Sequence, residues 1–177
     1  MGSLVYTVTL NPSIDRTIDL PSLQVGEINR ASHITLHPGG KGINVSRAIK
    51  AFGGQTHAIF VGGTLGTAWM SGELNSLSIA QTVISMGNAI RSNVTIVESS
   101  GKVTKINEPG PTLGKNELEA VKKTLSDLPL TNQWVVFAGR LNPGVDEGAY
   151  ADLASFAKSR GAKVALDSSG PEFAHAV

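Results

Sequence analysis

Cysteine is absent from this 177-residue chain. Disulfides, cysteine-ligated zinc and thiol nucleophiles are therefore excluded. Aromatic residues are scarce, at 5%, and charge is almost balanced, with 15 Lys and Arg against 14 Asp and Glu. A net charge of +1 leaves no basic footprint for nucleic acid or for an acidic membrane surface. No apolar run approaches the ~18 residues of a membrane span, and the N-terminus lacks the pattern of a secretory signal. The expectation is a soluble, cytoplasmic protein with neither nucleic acid nor membrane as partner. Met1-Gly2-Ser3 reads as a tag remnant and is given no role.

Several catalytic signatures are missing as well. His33, His37, His57 and His175 form no H-x-x-x-H pair with acidic support. His33 and His37 fall on a predicted strand, where residues four apart are separated by about 13 Å. No G-x-S-x-G elbow is present, so acyl transfer has no support, and G-x-G-x-x-G does not occur. A Walker A loop is excluded too: Thr occupies position 35 where Gly is needed, and Gly42-Ile43 stands where Lys-Ser/Thr would be.

Glycine is what the chain has in excess, 20 of 177 residues against a usual ~7%. It punctuates an alternation of apolar runs and helical stripes. Leu4 to Leu10 reads as a buried strand ended by Asn11-Pro12. Ile43, Val45, Ala48, Ile49 and Phe52 share a helical face that Gly53-Gly54 terminates. A strand at Ala58-Ile59-Phe60-Val61 precedes a helical stripe at Trp69, Met70, Leu74 and Leu77. Leu118, Val121, Leu125 and Leu128 lead into a strand over 134–138, and Tyr150, Leu153, Phe156 and Ala157 into one over 164–167. Repeated strand–helix–strand units predict a parallel sheet covered on both faces.

Two stretches break that rhythm. Within residues 12–37, Ile34 and Leu36 alternate with His33, Thr35 and His37, as in a half-exposed strand. Within 88–111, Val94 to Val97, the turn Ser99-Ser100-Gly101, and Val103 to Asn107 form a hairpin signature. The two could pair as a small separate sheet over a ligand cleft or against a second subunit; two unrelated surface hairpins are the alternative. At the other end, Pro171 opens a helix-like segment of about one turn, too short to make a crossover. The chain thus reads as one that stops short of its fold.

The densest chemical signal is Pro38-Gly39-Gly40-Lys41-Gly42-Ile43-Asn44, between a strand and a helix start. Paired glycines let backbone N–H groups approach a ligand, the helix N-terminus favours an anion, and Lys41 adds a full charge. Asp15 follows the first strand, on the side where open parallel sheets bind ligands, and is placed to accept from hydroxyl groups; a turn or cap role is the alternative. Arg91 is the phosphate candidate because a guanidinium forks onto phosphate, with Arg30 as partner; a solvated strand arginine is the plainer role for either. Asp167, at a strand's carboxyl end, could join a metal or water network or simply cap a helix.

Five ordered stretches, Thr9 to Asp15, Gly26 to Arg30, Pro38 to Asn44, Asn107 to Pro111 and Asp167 to Gly170, resemble the N-terminal signature of PfkB (ribokinase-like) carbohydrate kinases. Asn-Pro-x-x-Asp at the start is similar to the phosphosugar branch, and Thr104 to Pro111 most resembles the 1-phosphofructokinases. Tagatose-6-phosphate kinases and the minor 6-phosphofructokinase type come next, and a non-catalytic sugar-phosphate-binding or dimerisation module is a further alternative. The resemblance implies a three-layer α/β/α core with a mostly parallel sheet, the C-terminal part of the fold missing. Residues 1–11, 38–87 and 112–177 would form that incomplete core, and 12–37 with 88–111 a β-lid through which a homodimer forms. It implies ATP and Mg²⁺, with a phosphorylated ketose as substrate. Asp15 would bind sugar hydroxyls, and Gly39, Gly40, Lys41 and Asn44 would line the cleft. Arg91 would hold the phosphate, with Arg30 helping across the dimer, while Glu108 and Gly139 fall in site motifs. Asp167 would touch the Mg²⁺ network through water. The family's Ser-Gly-Ser-Leu-Pro appears as Ala138-Gly139-Arg140-Leu141-Asn142, so Arg140 replaces a serine that contacts the phosphosugar, either adding a phosphate contact or blocking the site. The family's Gly-Ala-Gly-Asp motif, which carries the general base, does not occur within the 177 residues, so no catalytic residue is assigned in this chain and it is expected to be inactive alone.

Overall fold

A computed structural model describes residues 4–176; Met1 to Ser3, on which the tag reading falls, and Val177 lie outside the described residues. Nine strands and five helices follow in the order β1 (Val5–Thr9), β2 (Ser13–Leu20), β3 (His33–Gly39), α1 (Lys41–Ala51), β4 (Thr56–Gly62), α2 (Thr67–Ser76), β5 (Ala80–Ser85), β6 (Arg91–Glu98), β7 (Val103–Asn107), α3 (Lys115–Ser126), β8 (Trp134–Ala138), α4 (Ala149–Ser159), β9 (Lys163–Asp167) and α5 (Pro171–Ala174). Five strands form one parallel sheet in the order β5-β4-β1-β8-β9.

Alternation along the inner strands explains why that sheet needs helices on both sides. Tyr6, Val8, Leu10, Ile59, Val61 and Phe137 point into a core shared with Val121 and Leu125 of α3 and with Tyr150 and Leu153 of α4. Ala58 and Phe60 point the other way, onto Ile43 of α1 and Met70 and Leu74 of α2. The three-layer α/β/α arrangement expected from the sequence is what these packings produce. A buried polar contact adds register to α1: the hydroxyls of Thr7 and Ser46 lie 2.8 Å apart, as do those of Ser46 and Thr56. Thr56 Oγ1 donates on to the Val5 carbonyl at 3.0 Å.

The other four strands make a second sheet, β3-β2-β6-β7. The two irregular stretches of sequence therefore do pair, through parallel register of β2 with β6 from Ser13↔Arg91 to Leu20↔Glu98. The β6–β7 hairpin and the β2–β3 pair are antiparallel. Two strands went unforeseen. Asp15 is neither a turn nor a cap residue but lies inside β2, hydrogen-bonded to strands on both sides. The edge strand β5 is the other, pairing with β4 from His57↔Ala80 to Gly62↔Ser85. Among the described residues no helix is long and apolar enough to cross a membrane.

Candidate functional site

The chain passes between the two sheets four times: after β1, between β3 and α1, between β5 and β6, and between β7 and α3. Glycines permit these crossings to run close together. A Cβ on Gly39 would collide with the Asp15 carboxylate. One on Gly40 would lie 2.8 Å from Thr9 Cγ2, and Gly40 also has φ 109°, open to few residues but glycine. One on Gly110 would meet the Asn11 side-chain oxygen.

At this junction lies a cavity of about 550 Å³. Asn11, Arg91, Asn93 and Glu108 form one wall, Lys41 and Gly139 another, and Arg140 with Asn142 the rim after β8. The cavity sits at the carboxyl ends of β1 and β8, where open α/β sheets bind small molecules. Asp15, like Gly39 and Gly40, is not among the lining residues and meets the cavity only through Asn93: its Oδ1 accepts from Ser13 Oγ at 2.7 Å and from Asn93 Nδ2 at 2.9 Å. One carboxylate is thereby fixed in direction by a hydroxyl and an amide.

Arg91 ties the junction through its terminal nitrogens, while its buried Nε has no hydrogen-bond partner. Its Nη1 donates to Asn93 Oδ1 at 3.0 Å and to the Glu108 carbonyl at 2.8 Å, and its Nη2 to the Asn11 carbonyl at 3.4 Å. Burial pushes its pKa below the ordinary arginine value; Asp15 and Glu108 pull it back up, while the like charge of Arg140 pushes it down. Glu108 in turn accepts the Ser92 N–H at 2.7 Å. Asn11 Nδ2 donates to the Pro109 carbonyl and Asn142 Nδ2 to the Pro111 carbonyl, both at 2.9 Å, which anchors the segment between β7 and α3.

Lys41 opens α1, which lacks a side-chain cap, so its first N–H groups face the cavity end of the helix. Lys41 Nζ pairs with Asp167 Oδ1 at 3.1 Å, both side chains about half exposed. The Asp167 carbonyl accepts the Gly139 N–H at 2.9 Å, and Ser168 Oγ donates to the Gly139 carbonyl at 3.0 Å. Asn44 lies one turn along α1, where Arg47 Nη1 donates to its Oδ1 at 3.3 Å; it is outside the cavity lining. Arg30 is exposed and precedes β3, whose seven residues, roughly 20 Å, separate it from Gly39. The structure therefore does not bring Arg30 to this cavity. Asn93 and Asn142 were missed from the sequence; Asn93 was legible in principle, since it shares a strand face with Arg91 two residues earlier.

Among the described residues no group of three or more His, Asp or Glu side chains is gathered to hold a metal ion. Asp167 offers a single carboxylate already paired with Lys41, which does not amount to a direct Mg²⁺ site.

The parallel α/β sheet thus carries at its carboxyl edge, beside a small second sheet, a cavity lined by Lys41, Arg91 and Arg140. A profile described as pfkB family carbohydrate kinase matches residues 8–177, and the chain belongs to that family. It is 35% identical over 172 residues to a 1-phosphofructokinase of Rhodobacter capsulatus, covering 94% of this chain and 54% of that one. It is 34% identical to a tagatose-6-phosphate kinase of Staphylococcus epidermidis, with coverage of 94% and 54%. Its fold matches the crystal structure of Escherichia coli phosphofructokinase-2 in complex with fructose-6-phosphate, with a TM-score of 0.91 and 28% identity over 98% of this chain and 57% of that one. The chain thus spans about half the length of the curated relatives it matches.

Proposed function

We propose that the chain is the sugar-phosphate-binding half of an ATP-dependent phosphosugar kinase, acting first on fructose 1-phosphate to give fructose 1,6-bisphosphate. The observation that carries this reading is the junction cavity, where Asn93, hydrogen-bonded to Asp15, offers a partner for hydroxyls and Lys41, Arg91 and Arg140 supply positive charge. The 1-phosphofructokinase relative supports the 1-phosphate. The fold match to phosphofructokinase-2 keeps fructose 6-phosphate as a second substrate, and tagatose 6-phosphate enters through the Staphylococcus relative.

In this mechanism the chain binds and orients. Asp15 accepts a sugar hydroxyl, its direction fixed by Ser13 and Asn93, and the cationic wall neutralises the substrate's phosphate. ATP supplies the transferred phosphoryl group, and Mg²⁺ neutralises charge on it; Asp167 would reach the metal only through water. Binding without turnover is expected of this chain by itself. The three carboxylates at or beside the cavity each already hold a protein partner, Asp15 with Ser13 and Asn93, Asp167 with Lys41 and Glu108 with the Ser92 N–H, and the Gly-Ala-Gly-Asp motif that the resemblance gives as carrier of the general base does not occur in the sequence. The general base is expected from sequence outside these residues.

The second sheet is read as a lid, spanning 12–37 and 88–111, and as the contact for a second copy. Its register puts Ile34, Ile18, Ile96 and Thr104 in one cross-strand row and Leu36, Arg16, Val94 and Ile106 in the next, on the face opposite Asp15 and Asn93. Ile34 and Ile106 are about half exposed on this face, around the exposed Arg16, a mixed surface on which a second copy could pack. A cytoplasmic location fits this function. Calorimetry tests the proposal directly: fructose 1-phosphate should bind and unphosphorylated fructose should bind far more weakly. Absence of binding by all three ketose phosphates refutes it, and phosphorylation of fructose 1-phosphate by this chain with ATP and Mg²⁺ refutes the expected inactivity.

A further inference from the structure

The face of the second sheet turned away from Asp15 carries two charged side chains on its strands, Arg16 of β2 and Glu98 of β6. Ile34, Leu36 and Ile106 are exposed on the same face. Arg16 stands among them, exposed, with no hydrogen bond or ion pair to any described residue. Glu98 is level with Leu20 and its side chain is only 8% exposed. Its Oε1 is buried without a hydrogen-bond donor, and its ion-pair contact, Lys102 Nζ, lies 3.7 Å away on a largely exposed side chain.

Neither charge serves the other inside one chain. Arg16 is in register with Val94, and Glu98 lies four residues further along β6, about 13 Å away. A carboxylate buried with one loose contact is costly, and so is an arginine enclosed unpaired. Midway between the two runs the row Ile34, Ile18, Ile96 and Thr104. A two-fold axis lying in the plane of contact and crossing the strands at that row exchanges the two positions.

We propose that two copies of the chain pack these faces together in that register, with Arg16 of each protomer donating to the partner's Glu98. The proposal rests on the reading of the second sheet as the contact for a second copy, and gives that contact its register. In an isologous contact each residue pair occurs twice, so one cation and one carboxylate per chain make two ion pairs. A guanidinium suits the task, because its planar fork meets both carboxylate oxygens and it is more weakly hydrated than an ammonium. An apolar face alone accepts many partners. Two opposite charges set so far apart select a partner that carries the same two in reverse order, as a second copy does.

Sedimentation of the 177-residue chain over a concentration series tests this, with circular dichroism melts as the check on folding. R16A should weaken self-association about tenfold or more and melt, as a monomer, within about a degree of the parent. E98Q, which keeps the shape of the side chain, should weaken it in the same direction. R16A/E98Q should lose little beyond the worse single variant, because one interaction is removed twice. R16E should abolish association and R16E/E98R restore it; if E98R prevents folding, the R16A and E98Q cycle decides. Association of R16A within about twofold of the parent, or losses from R16A and E98Q that simply add, overturns the ion pair and leaves the second sheet as a contact between copies. A parent that stays monomeric throughout refutes that contact and the ion pair with it.

Discussion

Replacing Gly42 by alanine gives the sharpest test of how the site is held. Gly42 is buried on the first turn of α1, next to Lys41, with the helix pressed onto the centre of the parallel sheet. A Cβ there would collide with Thr9 Oγ1 and lie 2.9 Å from the Val8 carbonyl oxygen. β1 is hydrogen-bonded on both sides and cannot retreat, so α1 must move outward. Overpacking of this kind costs about 1–3 kcal/mol. The same shift stretches the Thr7–Ser46–Thr56 hydroxyl chain, at roughly 0.5–1.5 kcal/mol for each bond weakened. Against this stands a helix-propensity gain of about 1 kcal/mol for alanine over glycine. The expected net loss is about 2 kcal/mol, or roughly 4–8 °C in melting temperature for a chain of this size. Gly72, exposed in the middle of α2 with nothing near its Cβ position, isolates the propensity effect. G72A should stabilise by up to about 1 kcal/mol. Thermal and urea unfolding followed by circular dichroism read both. If G42A proves as stabilising as G72A, close approach at the junction does not explain that glycine.

Three further outcomes follow from single groups. His57 is half-buried, with its Nε2 2.8 Å from Thr82 Oγ1, and burial lowers its pKa below the ordinary 6.5. The unfolded chain therefore binds this proton first, so stability should be full above about pH 6.5 and fall as pH drops toward the lower folded value; H57Q should flatten that slope in melts between pH 7 and 5. The Tyr150 hydroxyl is buried without a partner, so Y150F should be neutral or stabilising by up to about 1 kcal/mol, and a clear loss in urea unfolding would show that the hydroxyl does bond. The Lys41–Asp167 pair is half exposed, so D167N should change the unfolding free energy by less than about 1 kcal/mol.

The parallel sheet was legible because its central strands are buried on both faces and so appear as unbroken apolar runs, as in Ala58-Ile59-Phe60-Val61. β2 was not, for an opposite reason. Ser13–Leu20 begins after Asn11-Pro12 and carries Asp15, Arg16 and Asp19, residues that local propensity assigns to turns and surfaces. Pairing on both sides overrides that propensity, and the same pairing puts Asp15 beside Asn93. β5 was obscured because it is an edge strand with Val83 partly exposed and no apolar run. Within the site, Gly39, Gly40 and Lys41 could be singled out from composition alone. The commitments of Arg91 could not, since they depend on three carbonyl and amide oxygens that only the fold brings to one place.

The excess of glycine therefore has a cause other than flexibility. Gly39 and Gly42 do not lie in the left-handed region; what they lack is room, since Asp15 and Thr9 occupy the space a side chain would need. Gly40 and Gly110 combine positive φ with the same crowding. Close approach at all four chain crossings, the fourth where Gly63 meets the Asn88 backbone, leaves the junction few ways to relax, and the amides of Asn11 and Asn142 fasten it further. A frame so constrained is suited to fixing hydroxyl partners such as Asp15, whose direction must be set before the ligand arrives. Arg140, by contrast, lines the cavity with no hydrogen bond or ion pair to any described residue, so the frame does not fix its side chain.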